Sequence, residues 1–136
     1  MKRSITLLPI LITVILCTTS YAELSHQFLF GHTNRVLAIA FSLDGKWLAS
    51  GGSGKYEIRI WDVAANKQVY TLTGHTAQIK DLAFRIDGNL ASASEDGTVR
   101  LWNVPAQREI RRFNGHLGAA VTSVAFSPNG KRLVSG

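Results

Sequence analysis

A chain of 136 residues suggests one domain built on a single core, and its one cysteine, Cys17, rules out a disulfide framework. Fifteen Lys and Arg against nine Asp and Glu give a net charge of +6. The positive residues are dispersed rather than gathered into a stripe, which argues against a nucleic-acid ligand.

The chain opens "MKRSITLLPILITVILCTTSYAELS". Lys2 and Arg3 precede an apolar run from Ile5 to Cys17, and the small residues Ser20 and Ala22 flank Tyr21 as they would at a secretory cleavage site. Residues 1–22 therefore read as a secretory signal peptide processed after Ala22, an address rather than part of the fold. An uncleaved membrane anchor is the lesser alternative, because the run falls short of the about 20 apolar residues that a transmembrane helix needs and contains Pro9. Cleavage removes the only thiol, so the exported chain owes its stability to packing.

Residues 23–30 form a lead-in segment, and repetition begins after it. "FGHTNRVLAIAFSLDGKWLASGG" from Phe30 aligns with "TGHTAQIKDLAFRIDGNLASAS" from Thr73 and "NGHLGAAVTSVAFSPNGKRLVSG" from Asn114. The Gly-His pairs Gly31-His32, Gly74-His75 and Gly115-His116 are 43 and 41 residues apart. The units run over 31–73, 74–114 and, incompletely, 115–136.

Each unit reads as four short strands. The first is apolar on both faces ("VLAIAFS", "IKDLAF"), and a turn at Asp44-Gly45, Asp87-Gly88 or Asn129-Gly130 leads to a second ("WLAS", "LASAS", "RLVSG"). The third alternates around Arg59 or Arg100 and ends on Trp61 or Trp102. The fourth, "KQVYTL" or "REIRRF", carries the charge expected of an outer sheet edge, where Arg108, Arg111 and Arg112 solvate the rim and discourage edge pairing. An acidic partner or an anionic membrane surface is the alternative use of that cluster. The third unit stops after its second strand, leaving Val121, Val124, Phe126, Leu133 and Val134 on a hairpin with no strand beside it.

The Gly-His pairs, the Asp-Gly or Asn-Gly hairpins, the "LAS" or "LVS" strands, and Trp61-Asp62 with its variant Trp102-Asn103 together resemble the WD-repeat β-propellers. The resemblance covers Phe30 to Gly136 and implies an all-β propeller of four-stranded antiparallel blades, two complete and half of a third. Such rings close with typically 4–8 blades, so the chain reads as the N-terminal piece of a longer propeller; ring formation from several copies is the alternative.

Ser92, His75 and Asp96 suggest a nucleophilic triad. Against this, Ser92 lacks the Gly-x-Ser-x-Gly elbow, and the set partly recurs as His32, Ser50 and Trp61. In WD-repeat proteins the equivalents of His75, Ser92, Asp96 and Trp102 form a buried structural network. The resemblance implies the same of His32, Ser50 and Trp61 and of His116 and Ser135. In the first unit Lys55 replaces the Asp, so His32 is held less firmly. The histidines belong to different blades and do not converge on a metal, and His26 lies outside the pattern. By resemblance, partner-facing residues flank the start of each first strand: Asn34, Arg35, Gln78 and Lys80. The implied function is a non-enzymatic scaffold for protein–protein interaction outside the cytoplasm, periplasmic or secreted, with no cofactor, metal or nucleic acid. The alternative is a secreted propeller enzyme or ligand-binding protein whose site lies in further blades.

Overall fold

The computed structural model describes residues 12–16 and 25–136. The strands are β1 (Ile12–Leu16), β2 (Ser25–Leu29), β3 (Val36–Phe41), β4 (Trp47–Gly52), β5 (Ile58–Asp62), β6 (Lys67–Leu72), β7 (Ile79–Phe84), β8 (Leu90–Ser94), β9 (Val99–Asn103), β10 (Arg108–Phe113), β11 (Val124–Phe126) and β12 (Leu133–Ser135). Two four-stranded antiparallel sheets, β3-β4-β5-β6 and β7-β8-β9-β10, are propeller blades; β11-β12 begins a third and β1-β2 forms a separate pair. Among the described residues no helix is long and apolar enough to cross a membrane.

The hairpin turns follow from local chemistry. Asp44 accepts hydrogen bonds from the Ser42 hydroxyl (2.6 Å) and the Lys46 N–H (3.0 Å), closing the β3-β4 turn, and Asp87 accepts from the Asn89 N–H in the β7-β8 turn. The β5-β6 and β9-β10 turns are closed by Asp62 and Asn103, whose side-chain oxygens accept from the N–H groups of Ala65 (2.8 Å) and Ala106 (2.9 Å). Only that oxygen is used, which is why Trp-Asp and Trp-Asn serve the same turn.

The blades stack face to face. Ala38, Ala49, Ile58, Ile60 and Leu72 of the first blade meet Ile79, Leu82 and Leu90 of the second in one buried cluster. Ala91, Ala93 and Val99 of the second blade meet Val121 and Val124 in another. The second strands are sandwiched on both sides, and β8 is buried from end to end, so they carry small residues where a neighbouring blade lies close. A Cβ added at Gly51 would sit 2.9–3.1 Å from three side-chain atoms of Ile79.

The structure adds three observations to these expectations. Val121 and Val124 are buried against the second blade rather than left bare; the exposure on the last hairpin falls on Val134, at 68%. The lead-in segment contains a strand, β2, which ends two residues before Gly31 as β6 and β10 end two residues before Gly74 and Gly115; it is the fourth-strand member of the repeat. Ile12–Leu16, inside the segment assigned to the leader, forms β1 and pairs with β2 from Ile12↔Leu29 to Leu16↔Ser25. Its run of β-branched residues suits a strand, and it takes the place beside β2 that β5 takes beside β6. The rest of the leader and its cleavage site lie outside the described residues.

Gly51→Val is expected to lower unfolding stability by about 2 kcal/mol through overpacking, and Ile79→Ala in the same chain to recover part of that loss. Urea denaturation of the single and double variants checks this; simple additivity would show that the two positions do not press on each other.

Candidate functional site

The second blade carries the complete polar network. The Trp102 Nε1–H donates to Ser92 Oγ (2.8 Å), the Ser92 hydroxyl lies 2.7 Å from His75 Nε2, and His75 Nδ1 lies 2.7 Å from Asp96 Oδ2. With the indole as donor, Ser92 donates to Nε2 and the histidine is the Nδ1–H tautomer, donating to Asp96. Asp96 also accepts from the Thr76 N–H (3.1 Å) and from the Thr98 hydroxyl (2.6 Å) and N–H (3.0 Å). One carboxylate thus ties the loop before β7 to the β8-β9 turn. Burial pushes Asp96 up, but the hydrogen bonds from Thr98, His75 and the Thr76 N–H outweigh it and hold the carboxyl at about 2. Burial lowers His75, and Asp96 only partly restores it.

The geometry matches a Ser-His-Asp relay, yet Ser92 is fully buried and its Oγ is capped by the Trp102 indole. Two cavities among the described residues, of about 350 and 330 Å³, are lined by other residues than Ser92, His75 and Asp96. The arrangement satisfies buried polar groups and fixes strand register.

The first blade repeats the inner part alone: Trp61 Nε1–H donates to Ser50 Oγ (2.7 Å), which lies 2.7 Å from His32 Nε2. Lys55 is exposed and supplies no substitute for Asp96. Burial, with the Arg59 guanidinium adding to it, pushes His32 down to about 4. In the third unit His116 Nε2 lies 2.8 Å from Ser135 Oγ.

Two further links were not legible in the repeat pattern. Asp81 accepts from the Val124 N–H (2.8 Å) and from its own neighbour Leu82 N–H (2.9 Å), joining β7 to the next blade's first strand. Arg100, only 4% exposed, pairs with Glu109 (2.8 Å) on the outer strand and reaches Asp96 at 3.8 Å; its Nε has no hydrogen-bond partner among the described residues. Its guanidinium lies across Gly74, where any Cβ would collide with it, and Gly74 has φ +152°. Arg59 lies across Gly31 in the same way, so a third-strand Arg accounts for the Gly in these two Gly-His pairs.

The loop residues separate from this frame. Asn34 and Arg35 are exposed before β3, while Gln78 and Lys80 are half-buried at the start of β7. The Arg35 carbonyl accepts from the Ser53 N–H (3.0 Å) and the Gln78 carbonyl from the Glu95 N–H (3.0 Å). Lys80 also pairs with the Glu95 carboxylate at 2.7 Å. The loops after β4 and β8 therefore belong to the same surface, which the repeat pattern did not single out. Among the described residues no group of three His, Cys, Asp or Glu is placed to hold a metal ion.

A family described as WD domain, G-beta repeat matches residues 23–62, 66–103 and 107–136. Each match starts at a fourth strand, so β2 falls inside the first. Among curated relatives, protein tipD of Dictyostelium discoideum is 33% identical over 107 residues, 78% of this chain and 17% of that protein. The pre-mRNA-processing factor 19 homolog 2 of Arabidopsis thaliana is 40% identical over 97 residues, 71% of this chain and 18% of that protein. The guanine nucleotide-binding protein subunit beta of the same plant is 33% identical over 116 residues, covering 81% and 30%. The chain thus spans less than a third of the length of each of these relatives.

Asp96→Ala is expected to cost on the order of 3 kcal/mol, since it strips a charged acceptor from several donors at once. Lys55→Ala should change stability by less than about 0.5 kcal/mol, as an exposed substitution does. Thermal melts of the two variants check this, and equal losses would contradict it.

Acid should act in two windows. An unfolded His32 takes a proton near 6.5 and the folded one near 4, so stability falls as pH drops from about 6.5 to about 4 and this contribution is then gone. Asp96, lowered from 3.8 to about 2, contributes stability above 3.8 that is lost as pH falls toward 2. Urea midpoints measured against pH should show both, and His32→Asn should reduce the upper slope, leaving the part that belongs to the likewise lowered His75, without changing the lower window.

Proposed function

The chain belongs to the WD-repeat family, and on that premise we propose that it is a non-enzymatic scaffold that binds protein partners on the loop face of Asn34, Arg35, Gln78 and Lys80 outside the cytoplasm. The observation that carries this reading is the division of labour along each blade. The chemically suggestive residues His75, Ser92, Asp96 and Trp102 are committed to internal bonds, while the loop side chains stand at the surface on a frame those bonds hold still. Preorganised loops bind with little ordering entropy to lose. One of the relatives, the guanine nucleotide-binding protein subunit beta, is by its name a subunit of a larger assembly, which supports the same reading.

Export rests on the leader over residues 1–22. Membership of a longer propeller is supported by the apolar face of the first blade that no described strand covers, where Leu37, Ile39 and Phe41 are 41–49% exposed, and by Val134 at 68%. Reading the source gene beyond the codon for Gly136 tests that part.

In exporting cells, cross-linking capture with the wild-type chain and with a variant carrying Arg35→Glu and Lys80→Glu should differ at least tenfold in recovered partner, at a temperature where thermal melts show both chains folded. Equal recovery would refute the loop face as the binding surface. N-terminal sequencing of the exported chain should begin at Glu23; a chain beginning at Met1 and retained in the membrane would replace secretion with anchoring.

A further inference from the structure

The β3-β4 and β7-β8 turns lie at the other end of the blades from the loop face, across the length of the six-residue strands β3 and β7, roughly 20 Å away at about 3.3 Å per residue. Between them is a cavity of about 350 Å³, lined among others by Leu43, Asp44, Trp47, Ile86 and Pro105. Leu43 and Ile86 occupy the same place in their repeats, immediately before the Asp-Gly of the turn, and Pro128 takes that place in the third. A turn tip ordinarily favours polar residues. Here it presents a leucine 78% exposed and an isoleucine 59% exposed, beside a half-buried tryptophan. Neither side chain adds appreciable core burial at that exposure; Ile86 touches Gly130 of the third unit's turn, and Leu43 is the more exposed of the two.

The charges of the groove select its occupant. Arg85 and Asp87 neutralise each other at 2.9 Å. Asp44 remains: hydrogen bonds from the Ser42 hydroxyl and the Lys46 N–H hold its carboxyl below the usual range, both of those bonds fall on Oδ1, and it has no cation within ion-pair distance among the described residues. The nearby Lys46 ammonium lies instead over the Trp47 ring, 4.8 Å from its centroid. On a chain of net charge +6, this groove sets three apolar side chains, Leu43, Trp47 and Ile86, beside polar ones such as Asn89 and Asn103, and Asp44 is its one carboxylate outside an ion pair, with Lys46 acting on it only at longer range.

We propose that this groove is a second docking site and that it takes a short peptide segment in which a Lys or Arg stands next to an apolar side chain. The apolar side chain fills the space between Leu43, Trp47 and Ile86, and the cation meets Asp44. The site is separate from the loop face, so either surface can fail without the other.

The probes are two acetylated pentapeptides, Gly-Leu-Arg-Leu-Gly and Gly-Leu-Glu-Leu-Gly, titrated into the isotopically labelled full chain while the Trp47 indole resonance is followed by NMR. The arginine peptide should shift that resonance with saturation and the glutamate peptide should bind at least fivefold more weakly. Asp44→Asn should remove most of that difference, and Ile86→Ser, which leaves the turn's hydrogen bonds in place, should weaken the arginine peptide at least threefold. Arg35→Glu with Lys80→Glu should leave it unchanged. Equal binding of both peptides, or no shift with the arginine peptide, overturns the proposal. So does a doubling of solution mass that Leu43→Ser abolishes, since the groove would then be filled by a second copy.

Discussion

A sheet that is apolar on both faces cannot stand alone in water, and every other feature of this chain follows from that constraint. Strands β4 and β8 are buried on both sides, so each blade is completed only by its neighbours. The contact is close enough that Gly51 meets Ile79 with no room for a methyl group, and small residues at Ala49, Ala91 and Ala93 keep the blades together along their inner strands. Burying a Leu or Ile contributes about 1.5–3 kcal/mol, so the stacked faces dominate over any single polar bond. The same constraint marks the two ends of the stack. Leu37, Ile39 and Phe41 at one end and Val134 at the other are the members of those faces that no described strand covers.

Stacking alone does not choose a register, because a strand that slips by one residue exchanges its faces. The Trp-Ser-His chain supplies the choice. Ser92 can satisfy the Trp102 indole and the His75 ring only when β8 and β9 pair as Ser92↔Arg100 and Leu90↔Trp102. The three units hold this device to different degrees. The second adds Asp96, Thr98 and the Arg100–Glu109 pair, the first lacks the carboxylate, and the third retains only the His116–Ser135 bond. Local opening follows the number of such ties, so the second blade is the rigid centre and the flanking units open first.

Most of the blade architecture was legible because its signals are local and repeated: Asp-Gly at a turn, Gly before His, Trp at the end of a third strand. What escaped was either not repeated or explained equally well by something else. Asp81 is replaced by Ala38 and Ser123 in the other units, so comparing repeats hides an inter-blade bond that depends on one residue. Strand β2 lacks a preceding turn signal, and its kinship with β6 and β10 shows only when all three are counted back from the Gly-His pair. The apolar run containing β1 satisfies the grammar of a leader as fully as that of a strand, and residue type cannot separate the two. Arg100 was visible as part of an alternation, but its burial beneath Gly74 depends on Glu109 arriving from the outer strand.

The position of the networks within the blade explains why the two ends of the inner strands are free to vary. His75 and Asp96 anchor the loop before β7 from beneath, through the Thr76 N–H and the ring, without using the side chains of Gln78 or Lys80. The opposite turns are closed by their own Asp44 and Asp87 through backbone N–H groups, without using the side chains of Leu43 or Ile86. Rigidity is therefore generated in the middle of the blade, by packing and by one polar chain, and the loops and turns at its two ends are held by it. A substitution in the middle acts on both ends at once. That separation lets a single repeat plan present unrelated surfaces while its core residues stay nearly the same from one blade to the next.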